Sequence, residues 1–83
     1  MGKTTLKLDI ISAEKHLFSG EVVSVVVPGT SGKFGIYPHH AALISSMQKG
    51  AIIYTLPGGE TKTVDVNGGI VEINQNAATI CVM

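Results

Sequence analysis

The chain has 83 residues, 45% of them apolar, enough for one small domain built around one core. Six Lys and Arg balance six Asp and Glu. This zero net charge argues against nucleic acid, which draws on clustered positive charge, and against an electrostatic grip on anionic lipid. The single cysteine, Cys81, excludes an internal disulfide and fits a reducing compartment. No apolar run approaches the length of a membrane span, and no apolar core follows Met1 to Thr5 as a signal peptide requires.

The dominant period is two. Leu6, Leu8 and Ile10 alternate with Lys7, Asp9 and Ile11, the pattern of a half-buried strand. Ser12 to His16 has room for one helical turn, and nothing else reads as helix. Glu21 to Pro28 is valine-rich and ends at the turn signal Pro28-Gly29. Thr30 to Gly35 is mostly small and polar, which predicts an exposed loop. Ala41 to Met47 and Ala51 to Leu56 read as strands on either side of Lys49-Gly50. Pro57-Gly58-Gly59 marks a hairpin leading into Thr61 to Val66. Asn67-Gly68-Gly69 is a second tight turn before the strand Ile70 to Ile73. Asn74-Gln75-Asn76 is a third, before Ala78 to Val82. Short strands, glycine turns and no crossover helices predict a single all-β domain. The strands look too apolar on both faces for a lone solvated sheet, so the expected form is an antiparallel sandwich of two short-stranded sheets.

Candidate chemistry is sparse. Gly2-Lys3-Thr4-Thr5 has the look of the end of a phosphate-binding loop, but the earlier glycine and preceding strand are missing. His39 and His40 are adjacent, so on an extended segment they point to opposite faces. His16 would have to supply a further ligand, and no Cys, Asp or Glu lies close to the pair at ligand spacing. No serine sits in a Gly-x-Ser-x-Gly elbow, and Cys81 lies in an apolar strand, where a thiol is an inert small hydrophobe. Asp9, Glu14, Glu21, Glu60, Asp65 and Glu72 are scattered singly. Neither a catalytic residue nor a metal or other cofactor is expected.

The most informative stretch is Gly32-Lys33-Phe34-Gly35-Ile36-Tyr37-Pro38-His39-His40. Glycines three apart free the backbone, Pro38 stiffens the exit, and Phe34, Ile36 and Tyr37 give the segment something to pack. It reads either as a well-formed turn or as a shaped contact loop. With Ala41 it resembles the signature Gly-x-x-Gly-x-x-Pro-x-His-Ala of the bacterial epsilon subunit of F-type ATP synthases, here Gly32, Gly35, Pro38, His40 and Ala41. Leu8-Asp9-Ile10-Ile11-Ser12-Ala13-Glu14 resembles that family's opening strand, and Leu17-Phe18-Ser19-Gly20 its next turn. Gly50-Ala51-Ile52 and Asn67-Gly68-Gly69-Ile70-Val71-Glu72-Ile73 match its later strands in order and spacing. Two positions depart from the family pattern: His39 stands where glycine is usual, and Ala42 where proline is usual.

The resemblance implies a non-catalytic rotor subunit. In that family the sandwich sits at the foot of the central stalk, packs on the gamma subunit and rests on polar loops of the membrane c-ring. It thereby couples proton- or sodium-driven rotation to ATP synthesis. It implies Ser31, Gly32, Lys33, Gly35, Pro38 and His40 as the c-ring contact, and Ser12, Ala41, Ala42 and Ser45 as the gamma contact. It also implies a peripheral place on the cytoplasmic side of the bacterial plasma membrane, with no direct lipid insertion. Many members continue into a C-terminal pair of helices. This sequence stops at Met83, so helical-hairpin inhibition and an ATP site on that hairpin are not expected of it. Two rival readings are a small cupin-like metal protein using His39 and His40, and a biotinyl or lipoyl carrier with Lys49 in Met47-Gln48-Lys49-Gly50. The first has no histidine from Ala51 to Met83 to complete a site, and the second lacks the Met-Lys-Met pattern.

Overall fold

Strands form wherever alternating apolar residues have a face to bury. A computed structural model describes residues 4–83, so Gly2 and Lys3 of the loop-like N-terminal stretch lie outside it. Among these residues lie β1 (Leu6–Ile11), β2 (His16–Val22), β3 (Ser24–Gly29), β4 (Gly32–Ile36), β5 (Leu43–Met47), β6 (Gly50–Thr55), β7 (Thr61–Val66), β8 (Gly69–Asn74) and β9 (Ala77–Val82). One layer has the order β2-β1-β9-β8-β5, and the other is β4-β3-β6-β7. The inward residues of all nine strands meet in one cluster, including Leu6, Leu8, Ile10, Val25, Ile36, Ile52, Val71 and Ile80. Each such side chain contributes about 1.5–3 kcal/mol when removed from water. Phe18 of β2 and Tyr54 of β6 close one side of the core, with ring centroids 4.4 Å apart.

The layers are joined at a corner. β3 pairs with β6 from Ser24 to Val26 and then with β5 at Gly29 opposite Met47. The change of partner falls across Val27 and Pro28. Proline has no N–H for the ladder, so a break there costs no hydrogen bond. Gln48 N–H closes the corner on the Pro28 carbonyl at 2.8 Å. Gly50 is bare because a Cβ would come 2.8 Å from the Pro28 ring.

The expected all-β sandwich is present, with corrections in detail. Thr30 to Gly35 is not an exposed loop: it supplies the strand β4, paired with β3 from Gly32 to Ile36. Its period-two pattern was masked by glycines, yet Ile36 is fully buried and Phe34 packs against the core. Leu17 to Gly20 is not a turn but part of β2, an edge strand whose inward side carries only Phe18, Gly20 and Val22. The valine run Glu21 to Pro28 is broken at Val23, where the chain crosses from one layer to the other and Val23 N–H donates to Thr55 O at 2.8 Å. Ser12 to His16 is a tight turn rather than helix, with Ser12 N–H donating to Lys15 O at 2.8 Å. β5 starts at Leu43 instead of Ala41. The pairing is not wholly antiparallel, since β1 runs parallel to β9 from Lys7–Ala77 to Ile11–Cys81.

The turns follow their chemistry. Gly59 at φ 97 closes the Pro57–Gly59 hairpin, and Leu56 N–H donates to Glu60 O at 2.7 Å. Asn74 pairs with Ala77, leaving Gln75 (φ 50) and Asn76 (φ 61) as a two-residue loop of type I′ character. Among the described residues, His39 is the other non-glycine residue with positive φ, at 67. This is the position where glycine is usual in the resembling family.

Two stability measurements test these assignments. Gly69 has φ 144, and a Cβ there would collide with the Cys81 carbonyl. Gly69→Ala is therefore expected to cost about 3 kcal/mol or more in urea unfolding, whereas Gly58→Ala, which faces open space, should stay within about 0.5 kcal/mol. His39→Gly should raise the unfolding free energy in urea by about 0.5–1 kcal/mol, by relieving the left-handed conformation.

Candidate docking surfaces

The β3–β4 hairpin ends in Thr30-Ser31-Gly32-Lys33. Ser31, Gly32 and Lys33 are exposed, and Gly32 at φ 131 faces open space. The tip is braced from below. Thr30 N–H donates to Ser46 O at 3.1 Å, the Thr30 and Ser46 hydroxyls lie 3.0 Å apart, and Gln48 Nε2 donates to Gly29 O at 3.1 Å. Gly29 is bare because a Cβ would meet both the Gly32 carbonyl and the Phe34 ring at 2.8 Å. The result is a stiff, backbone-exposing projection. Among the described residues Lys33 makes no ion pair, the two present being Lys7–Asp9 and Lys62–Glu60.

Beyond β4 the chain turns at Tyr37 to His40, where His40 N–H donates to Tyr37 O at 3.2 Å. The Tyr37 ring covers Gly35, whose Cβ would stand 3.0 Å from it. His40 Nδ1 lies 2.7 Å from Ala41 O; a carbonyl only accepts, so Nδ1 carries the proton. The six residues expected to touch the c-ring are thus spread along the length of β4 and the turn behind it. Ser31, Gly32 and Lys33 sit at one end of β4, Pro38 and His40 beyond the other, and the five-residue strand between them spans about 17 Å. Gly35 lies within the strand.

The outer face of the five-stranded layer holds what sequence reasoning missed. Ile44 on β5 is 71% exposed and Ile70 on β8 is 53% exposed. Register places Ile70 opposite Cys81 and Cys81 opposite Ile11, one row across β8, β9 and β1. Ile44 pairs with Glu72 and Ser46 with Ile70, so Ile44 is diagonal to Ile70. An apolar stripe therefore crosses four strands, from Ile44 through Ile70 and Cys81 to Ile11. Exposed Ala41 and Ala42 adjoin its β5 end, and Ser12 its β1 end.

These placements sort the expected gamma contacts. Ala41, Ala42 and Ser12 border the stripe. The Ser12 hydroxyl also accepts the Glu14 and Lys15 N–H groups at 3.4 and 3.3 Å, which shapes its turn. Ser45 lies on the inward side of β5, half-buried, with its hydroxyl donating to Ser46 O at 3.1 Å. Cys81 is exposed on the outer face, where its strand's alternation puts it, rather than packed as an inner hydrophobe. The signal for the stripe lay in adjacent apolar pairs that break alternation: Ile10-Ile11, Leu43-Ile44 and Ile70-Val71. Away from it the face is mostly polar, apart from Leu17 on β2. Asp9 is held below the usual carboxylate range, chiefly by the Ser19 hydroxyl across the strand pair, with Lys7 beside it at 3.5 Å.

Among the described residues no three His, Cys, Asp or Glu side chains are grouped to hold a metal ion. Lys49 stands at the corner between β5 and β6, which do not pair with each other, so it is not on a carrier-type hairpin tip.

The comparisons agree with this architecture. The profile of the family described as ATP synthase, Delta/Epsilon chain, beta-sandwich domain matches residues 5–83. The chain is 43% identical over 79 residues to ATP synthase epsilon chain 2 of Burkholderia orbicola, covering 94% of this chain and 52% of that one. It is 42% identical over 78 residues to the ATP synthase epsilon chain of a Nitratiruptor species, covering 94% and 60%. It therefore spans only about half to three-fifths of the curated relatives it matches. In fold it resembles a chain of the Euglena gracilis mitochondrial ATP synthase (OSCP/F1/c-ring), with TM-score 0.92 and 14% identity over 99% of this chain and 52% of that one. It also resembles a chain of the Tetrahymena thermophila mitochondrial ATP synthase central stalk/c-ring, with TM-score 0.82 and 16% identity over 100% and 66%. A two-layer sandwich of this register, matched along nearly its whole length, belongs to the β-sandwich domain family of ATP synthase delta/epsilon chains.

Proposed function

We propose that this domain is a non-catalytic central-stalk piece of an F-type ATP synthase, joining the gamma subunit to the membrane c-ring. The observation that carries the reading is the apolar stripe Ile44–Ile70–Cys81–Ile11 on a face that a free-standing sandwich would keep polar. Such a stripe is suited to a long apolar partner surface, and Ala41, Ala42 and Ser12 extend it at either end. The β3–β4 tip offers the second contact: Ser31, Gly32 and Lys33 present backbone and one cation to polar loops of the ring. The half-buried Gly35, Pro38 and His40 shape the hairpin and the turn behind it. Ser45 faces inward, its hydroxyl bonded to the Ser46 carbonyl.

Coupling requires stiffness more than chemistry. A close-packed core deforms little under load, and the described residues contain no buried polar side-chain atom without a partner that would soften it. The domain would turn with gamma and the ring while proton or sodium flow drives ATP synthesis elsewhere in the complex. Its place would be peripheral, on the cytoplasmic side of the bacterial plasma membrane. The curated bacterial relatives are ATP synthase epsilon chains, which supports this assignment.

The test is capture of partners by tagged protein from detergent-solubilised membranes of its host. Wild type should retain gamma and the ring. Ile44→Glu should fold normally, because Ile44 is mostly exposed, yet lose gamma by about 2 kcal/mol, roughly 30-fold in affinity. Lys33→Glu should weaken ring retention by about 1 kcal/mol at low salt and less at high salt. Full capture of both partners by the two variants would sink the surface assignments.

A further inference from the structure

Asn76 meets three demands at one position. It ends the β8–β9 turn at φ 61, a conformation that asparagine tolerates better than most residues. Its Oδ1 accepts the His39 N–H at 2.8 Å, and its Nδ2 donates to the Thr5 carbonyl at 2.9 Å. Its own carbonyl accepts the Lys7 N–H at 3.2 Å. An N–H only donates and a carbonyl only accepts, so the two partners fix the amide's orientation. One side chain thereby ties together the start of β1, the turn after β4 and the β8–β9 hairpin. Aspartate would keep the acceptor and lose the donor, and glycine would keep the backbone and lose both.

The Tyr37–His40 turn depends on such a tie. It leads into Ala41 and Ala42, and no residue from Tyr37 to Ala42 belongs to a strand. Pro38 has no N–H to give, and His39 holds a left-handed conformation at φ 67 that persists only where surroundings over-determine it. The Asn76 bond grips the N–H of that strained residue. Directly downstream stand Ala42 and Ile44, the β5 end of the apolar stripe.

We propose that Asn76 is a positioning residue that locks the Tyr37–His40 turn and so sets where Ala41, Ala42 and Ile44 stand for docking. The docking half of this rests on the reading of the stripe as the gamma-facing surface; the locking half does not. The partner it prepares for is a rigid apolar surface, which rewards a fixed edge because little ordering is left to be done on binding.

Amide exchange with water, measured residue by residue in ¹⁵N-labelled protein, tests the lock in wild type, Asn76→Asp and Asn76→Gly. Asn76→Gly should speed exchange at His39 about tenfold while leaving Ile80 in the core protected. Asn76→Asp should keep His39 protected, since the acceptor remains. The same proteins are then used to capture gamma from host membranes, where Asn76→Gly should retain less and Asn76→Asp about as much as wild type. Unchanged His39 exchange in Asn76→Gly overturns the lock. Faster exchange with undiminished capture overturns its role in docking. Ile44→Glu, run in parallel, separates the underlying reading: if it captures gamma as well as wild type, the stripe is not the gamma surface and the docking half falls with it.

Discussion

At the corner where β3 meets β5 and β6, the Pro28 ring lies against the bare α-carbon of Gly50, and the ladder passes from one layer to the other. Most of the architecture follows from that contact. Because the strand partner changes there, β5 can join the five-stranded layer while β6, next in sequence, joins the four-stranded one. Because Gln48 closes the corner on the Pro28 and Gly29 carbonyls, the β3–β4 hairpin leaves it in a fixed direction. A side chain at residue 50 would part the layers at their seam, and the close packing that gives the sandwich its stiffness would be lost with it.

The two surfaces are built on different principles. The hairpin tip is polar, narrow and backbone-rich, held from beneath by hydroxyl and amide contacts to Ser46 and Gln48. The stripe is broad and apolar, with no hydrogen-bonding pattern beyond the ladder under it. Polar tips suit contacts that discriminate by charge and shape, while apolar faces supply the larger share of affinity. The two adjoin at Ser46, which pairs with Ile70 of the stripe and braces the tip through Thr30.

Much of this was legible in the sequence, and the failures have causes. β1, β6, β8 and β9 announced themselves by alternation, since each has one clearly buried face, and β7, of which only Val66 is buried, by the Pro57-Gly58-Gly59 turn before it. β4 did not, because two of its five residues are glycine and the period is carried by Phe34 and Ile36 alone. β2 was hidden because an edge strand buries few residues, here chiefly Val22. The Val23 break was invisible because valine suits either layer and only the geometry of the crossing stops the strand there. The parallel β1–β9 pair is a long-range choice that no local pattern records. For the docking surfaces, the family signature marked the β3–β4 region but not its division by β4. The stripe went unread because its members lie on four strands and become neighbours only through register. What the residues did carry was the excess of apolar side chains on both faces, which found its meaning only once the outer face was assembled.

The parallel pairing of β1 with β9 has a consequence for how the molecule comes into being. β1 is bordered on one edge by β2 and on the other by β9, so the first strand of the sandwich is completed by its last. Without β9 in place, the β1–β2 hairpin would have one open edge. Synthesis of the strands between takes several seconds at about 5–20 residues per second. Through that interval the nascent chain offers a template for the wrong strand, and closure must wait for a contact between the two ends of the fold, which loop entropy makes slow. Closure of the sandwich thus hangs on one long-range pairing, from Lys7 with Ala77 to Ile11 with Cys81.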